Sequence, residues 1–417
     1  MSGTNLVNRF REAGVLTAED TSLIAYDLGQ QRRRRAAVRA AFPTHWSHHV
    51  AIKTNPLAAV LGPAVEDGFG LEAASWPEVL HARRLGAASV VWNSPVKTAT
   101  EVAALGPVPA TTVVLDSLGE LPLLTRLSPA TPVGLRINPQ IGQTGPADMS
   151  CATDDSKFGE RISQRAAILD AFAQEPRLRL LHVHSGSLPD QLGSLVDGIR
   201  AVLDLADEVD EVRRRLGMHP VDAIDIGGGL PPDADGSLAV QYAVLLERRC
   251  PELFTGARSV LTEFGRYYHA GAGSTLSRIA QVKRHPQGQT ILHHLGADLF
   301  VRESYQAAAP PALEVLDAEG EPRTAQMVST NVGGPLCFAG DHLAVGVPLP
   351  SAEIGDWLHI ADTGANTIAL WSHHCSRARP AVVTWDSHDP AVAPRVAIPR
   401  QEPDDAITLW DAPDLGR

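Results

Sequence analysis

The stretch HVAIKTNP, His49–Pro56, decides how the chain folds. An apolar run is broken by Lys53, and Thr54, Asn55 and Pro56 then stop it, as at the C-terminal end of a short buried strand. The same texture recurs as ASVVWNS (Ala88–Ser94), TTVVLDS (Thr111–Ser117), PVGLRIN (Pro132–Asn138), RLLHVHSG (Arg179–Gly186), AIDIGGG (Ala223–Gly229) and SVLTEFG (Ser259–Gly265). Helical patterns separate these runs: WPEVLHARRLG, SQRAAILDAFAQ and SLVDGIRAVLDLADEVDEVRRRLG. Strands alternating with helices read as βαβ units around a parallel sheet. About eight such units between Trp46 and Tyr268 suit a closed (β/α)8 barrel; a doubly wound open sheet is the alternative.

The texture changes after residue 277. QGQTILHHL, PALEVL, DHLAVGVPLP and DWLHIADTG are strand-like, with Pro and Gly turns and few long helices. This predicts a second, mostly β domain. The N-terminal TSLIAYDLG also reads as a strand that joins it. The predicted layout is residues 1–44 contributing to the β domain, 45–276 as the barrel, and 277–417 as the β domain proper.

Composition narrows the function. The chain has 417 residues, 44% hydrophobic and 20% charged, with a formal net charge of −12. Such a balance argues against nucleic-acid or anionic-membrane binding, which needs a basic face. The basic run Arg32–Arg35 lies among good helix formers and reads as a solvated helix face rather than a polyanion site. The four cysteines form no CxxC pair, so neither a disulfide framework nor a zinc site is expected. The paired histidines His48–His49, His293–His294 and His373–His374 lack metal-ligand spacing, and no metal is expected. The N-terminus is polar and no apolar run is long enough to cross a bilayer; the expected location is the cytoplasm.

Catalytic groups in a parallel barrel sit at the C-terminal ends of strands. Lys53, His184 with Ser187, Gly227–Gly229, and Glu263 with Gly265 and Arg266 all fall there. A lysine in an apolar surround is expected to have a depressed pKa and to act as a nucleophilic amine; the plain reading is a lysine snorkelling at a strand end. The triple glycine lets backbone amides approach a phosphate, and alone is equally a tight turn. Pro231 and Pro232 follow it, where a dinucleotide fingerprint needs a helix to start. Glu263 could be a buried acid paired with Arg266, or a carboxylate that keeps a pyridine nitrogen protonated. His184 is either a core histidine or a flat ring for stacking. Cys337 reads as a packed thiol or a catalytic one.

Together these motifs resemble the fold-type III, pyridoxal 5′-phosphate (PLP)-dependent decarboxylases, which include diaminopimelate, ornithine and arginine decarboxylases. The resemblance runs from about Ser22 to about Thr384 and is strongest to the diaminopimelate branch. AIKTNP is similar to the family's Schiff-base lysine motif, which implies that Lys53 holds PLP. GFGLEAASWPE is similar to the next motif, with Glu72 where Asp is more usual. HVHSGS implies that His184 stacks on the cofactor ring and that Ser187 touches the phosphate. DIGGGLP implies phosphate binding by Gly227, Gly228 and Gly229. EFGR implies that Glu263 faces the pyridine nitrogen, with Gly265 beside it and Arg266 on substrate or phosphate. SKFG (Ser156–Gly159) and LRINP around Arg136 also fit. PLCFAGD is similar to the catalytic-cysteine motif, which implies a homodimer in which Cys337 reaches the partner's site. The family's fold is a (β/α)8 barrel plus a β domain, as in alanine racemase.

Three departures bear on the amino-acid substrate. Phe338 stands where diaminopimelate decarboxylases carry a Glu that can bind the distal ammonium. Asn366, in DTGAN, replaces a tyrosine near the phosphate. An Arg-Pro-x-x-Tyr element survives only as Arg302 with Tyr305. Asp341, in the Cys337 loop, is expected at the substrate. The pocket therefore suits an acidic distal end better than a distal amine. The expected activity is decarboxylation of an amino acid, modified or conjugated rather than diaminopimelate itself. An amino-acid racemase or epimerase on a similar barrel, and a catalytically silent homologue acting as a binding partner, are the alternatives.

Overall fold

Each of the seven quoted runs carries a strand in the computed structural model, which describes residues 4–106, 111–187, 191–233, 235–306 and 309–410. The barrel strands are β1 (Ser47–Ala51), β2 (Gly70–Ala73), β3 (Val90–Asn93), β4 (Thr111–Leu115), β5 (Val133–Asn138), β6 (Leu178–Val183), β7 (Ala223–Asp225) and β8 (Ser259–Phe264). Every neighbouring pair is parallel, and β8 pairs with β1 through Leu261–Ser47 to Phe264–Val50. Pairing of β4 with β5 closes the remaining gap, so the sheet is a closed eight-stranded barrel.

Period-2 alternation sorts its side chains. Leu71, Trp92, Val113, Leu115, Leu135, Ile137, Leu181, Val183, Ile224 and Phe264 join the large apolar core shared with the helices. The alternate positions supply a separate small cluster, Val91, Val114, Leu180 and Leu261. Two residues further along their strands stand Asn93, His182 and Glu263, all buried. One strand period thus changes the inward face from an apolar plug to a polar tier.

The chain divides into two compact units, Arg32–Tyr268 and Met1–Gln31 with His269–Arg417. The first break falls at Gln31/Arg32 rather than at residue 44, because the helix Leu28–Ala41 already places Val38 in the barrel core. The second falls before the long strand Gly273–His285, which belongs to the other sheet. In the second unit, Ser22–Asp27 pairs antiparallel with Gly273–His285 and parallel with Ala381–Trp385. It is the N-terminal contribution to a nine-stranded sheet. Leu6, Val7 and Phe10 of the helix Thr4–Glu12 pack with Leu23, Leu316, Trp357 and Trp385 into this unit's core.

The basic helix departs from its expected reading. Arg32 and Arg33 are exposed, but Arg34 and Arg35 are buried, at 5% and 4% exposure. Arg34 pairs with Asp233, and Arg35 with Asp67 at 2.6 Å. Helical periodicity turns half of the run inward, where partnered guanidinium groups are tolerated. No described helix is long and apolar enough to cross a membrane.

Candidate active site

Lys53 stands in a 3-10 turn, Ile52–Thr54, one step beyond β1. Ile52 and Thr54 are buried and anchor the turn; Thr54 Oγ1 donates to the Ala51 carbonyl at 2.7 Å. The Lys53 side chain, 52% exposed, donates from Nζ to Glu72 Oε2 at 2.7 Å. Glu72 lies at the end of β2 and is fully buried. Burial alone would lower the Lys53 ammonium, but Glu72 and then Glu263 outweigh it and hold it above its ordinary range. The expected depressed pKa is therefore corrected: the surround of Lys53 is acidic, not apolar. Burial pushes Glu72 up to about 7, against the pull of Lys53.

The chain holds four lysines, Lys53, Lys97, Lys157 and Lys283. Lys97 has the depressed pKa, because its side chain is sealed. Its ammonium is committed to the Ser94 carbonyl at 2.7 Å and Glu120 at 2.9 Å, so it is a structural cation. Lys157 is exposed with its ammonium over Phe158, and Lys283 is exposed on the strand Gly273–His285. Lys53 is the lysine that its strand delivers to the catalytic end of the barrel.

Glu263, on β8, is 5% exposed and lies among Asn93 of β3 and His182 of β6. Its Oε2 is 3.2 Å from His182 Nε2 and 3.3 Å from Asn93 Nδ2. Burial alone would raise this carboxyl; contact with His182 and the charge of Lys53 outweigh it and hold it ionised. Oε1 is buried with no protein donor. His184 follows β6 directly, and the Gly228 amide donates to its Nδ1 at 3.1 Å. Burial, with Arg136 and Lys53 nearby, pushes His184 down to about 3. The ring is therefore neutral with its proton on Nε2, since Nδ1 is an acceptor.

The glycine loop is shaped by close backbone approach. Gly227 and Gly229 have φ of 65° and 99°, which favour glycine. A Cβ on Gly228 would lie 2.6 Å from the Glu263 carbonyl; Cβ atoms on its neighbours would strike the carbonyls of Val183 and Gly186. Gly228→Ala should therefore destabilise the protein by about 1–3 kcal/mol and free His184. A thermal melt several degrees lower is expected, and an unchanged melt contradicts this packing. Gly265 is likewise confined, against Thr54. Ser187 donates its amide to the Met149 carbonyl at 3.0 Å, and Arg266 opens the short helix Arg266–His269.

The remaining expected residues lie in the second unit. Cys337 is an exposed free thiol. Phe338 stacks on Tyr305, with centroids 5.1 Å apart and planes 14° from parallel. His374 flanks the pair, 6.2 Å from the Phe338 ring, with Nδ1 3.4 Å from Tyr305 Oη. Arg302 lies on the same short helix as Tyr305, Val301–Tyr305. Asn366 adopts φ 58° in the loop after Trp357–Ala361. Asp341 does not present its carboxylate as a substrate ligand. It is 5% exposed, and its oxygens accept from the amides of Ala297 at 2.6 Å and Leu336 at 2.7 Å. Asp341 clamps the loop that carries Cys337, which is what a buried carboxylate beside free amides does.

Three buried residues at these strand ends, Asn93, His182 and Asp225, have no role assigned from the sequence alone. Strand period recovers two of them. His182 lies two residues before His184 and Asp225 two before Gly227, on the same strand face. The His48–His49 pair, by contrast, diverges as adjacent strand residues must: His48 bonds Thr262, and His49 bonds Ser89.

Residues 28–270 match the family described as pyridoxal-dependent decarboxylase, pyridoxal binding domain. The chain is 31% identical over 349 residues to diaminopimelate decarboxylase of Deinococcus radiodurans, covering 81% of this chain and 83% of that one. It is 25% identical over 366 residues to ornithine decarboxylase of Mus musculus, covering 80% and 74%. The crystal structure of diaminopimelate decarboxylase from Helicobacter pylori complexed with L-lysine superposes with a TM-score of 0.82 at 21% identity, covering 94% and 97%. That last likeness is one of fold.

Proposed function

The chain belongs to the pyridoxal-dependent decarboxylases, and from that premise we propose that it removes the α-carboxylate of an amino acid whose distal end is not an ammonium group. It is a PLP-dependent carboxy-lyase of the diaminopimelate-decarboxylase-like kind. The barrel mouth suits the cofactor: it offers one accessible amine, a glycine loop with no room for a Cβ, and a buried carboxylate oxygen without a protein donor.

In this reading Lys53 holds PLP covalently and Gly227–Gly229, with Ser187 and Arg266, take its phosphate. Bound PLP supplies an electron sink for the pair left at Cα as CO2 departs. Glu72 keeps the Lys53 amine charged when it is released and so stores a proton at Nζ. His184 offers a neutral flat ring, which does not repel a cationic pyridine ring. Glu263 is the acceptor that keeps a proton at the ring nitrogen. Cys337, supplied by the second subunit of a homodimer, returns a proton to Cα.

The Tyr305–Phe338 stack carries the substrate assignment. Two rings and the His374 edge line the surface beside Cys337, and nothing in that stack can neutralise an ammonium at full strength. The substrate is therefore a modified or conjugated amino acid, with Arg302 or Arg266 as the cation for an acidic end. The test is CO2 release by the PLP-loaded protein from meso-diaminopimelate, lysine, ornithine, arginine, glutamate and N-acylated amino acids. Diaminopimelate should be turned over poorly by the wild type and about fivefold better by Phe338→Glu, the value of one modest charge contact. Efficient wild-type turnover of diaminopimelate contradicts the assignment.

A further inference from the structure

We propose that Asp225 carries a proton in the working protein and lends it to Glu263, so that the two buried carboxyls share one proton and one negative charge. Asp225 is fully buried at the end of β7, and Glu263 almost so on β8. One side-chain ligand atom from each of His182, Asp225 and Glu263 lies within 4.8 Å of the others. Two carboxylates so close in a desolvated lumen cannot both be ionised.

The donors point the same way. Asp225 Oδ1 accepts the Gly227 amide at 2.9 Å, while Oδ2 has no donor from any other group. Glu263 Oε2 faces His182 and Asn93, while Oε1 has none. Carboxylates are acceptors only, so two carboxyls this close can bond each other only when one of them carries a proton.

The surrounding charges decide which one. Glu263 feels the His182 contact and the Lys53 charge, which favour its anion. It is also faced by His49 from β1. Asp225 faces Glu263 and, more distantly, Glu72, with the Gly227 amide and the neighbouring His182 ring on the other side of the balance. Arg136 acts on Lys53, His182 and His184. Burial first, then Glu263, pushes Asp225 well above the carboxylate range. Asp225 is thus a positioning residue: it acts on Glu263 on one side and on the Gly227–Gly229 loop on the other. This last role rests on the function proposed above; the shared proton does not.

The sign of the pH dependence follows. An unfolded aspartate loses its proton near pH ~4, while folded Asp225 keeps it. The folded state therefore binds the extra proton, and wild-type stability declines as pH rises above ~4 until Asp225 ionises. Asp225→Asn preserves shape, the acceptor for Gly227 and a donor for Glu263, but cannot titrate. Urea unfolding of both full-length apo-proteins from about pH 5 to about pH 8 is the test. The wild-type folding constant should fall relative to the variant by up to about tenfold per pH unit. Parallel profiles overturn the proposal.

Should the variant not fold, the infrared spectrum of wild-type protein in heavy water decides. A protonated carboxylic-acid band persisting at about pH 8, where Glu72 is already ionised, supports the shared proton; its absence overturns it. With PLP added, wild type and Asp225→Asn should show the same visible bands across neutral pH. A displaced pH dependence in the variant means that Asp225 was ionised, and overturns the proposal. A wild type that takes up no PLP sinks the proposed function instead, and leaves the unfolding comparison decisive.

Discussion

Lys53→Ala is expected to abolish both the visible absorbance of the PLP-loaded protein and its turnover, the latter by roughly 10³-fold or more. No other lysine can substitute. Lys97 is sealed between the Ser94 carbonyl and Glu120, and Lys157 and Lys283 are exposed elsewhere. The fold should survive, because the Lys53 side chain is half exposed and contributes little apolar packing. Glu72 then loses its cation and, being fully buried, takes up a proton instead of standing as an unpaired charge. Circular dichroism should match the wild type while the cofactor band is absent. A variant that keeps normal turnover removes Lys53 from the mechanism.

Glu263→Gln is expected to lower kcat by roughly 10²–10³-fold, the scale of losing one preorganised electrostatic partner. The amide keeps the shape but cannot hold a proton at a pyridine nitrogen by charge. PLP uptake should persist, since Lys53 and the glycine loop are untouched. The change also removes the charge that raises Asp225, so Asp225 should ionise more readily and the variant's stability should depend less on pH between about 5 and 8. Steady-state kinetics with absorbance spectra check the first effect. A kcat within about twofold of wild type would place the ring nitrogen's partner elsewhere.

Much of this was legible in the sequence because a barrel strand is a local object. Each is a short apolar run, and each ends where its polar residues begin, so Lys53, His184, Gly227–Gly229 and Glu263 could be placed at strand ends without knowing the pairing. What was hidden depends on partners brought in by closure. The charge state of Lys53 is set by Glu72 on β2 and Glu263 on β8, neither of which its own apolar run reveals. Arg34 and Arg35 look solvated in a run of four arginines, yet Asp233 and Asp67 draw them inward. Asp341 reads as a substrate ligand until the amides of Ala297 and Leu336 are seen to occupy it. Asp225 reads as a strand residue before a turn; only the closed lumen sets it against Glu263.

Trapping the cofactor tests the central claim most directly. The PLP-loaded protein would be reduced with borohydride, digested, and mapped by mass spectrometry across its four lysines. The expected result is a phosphopyridoxyl group on the peptide containing Lys53 and on no other. Label on Lys97, Lys157 or Lys283, or no stable label after reduction, would contradict the account.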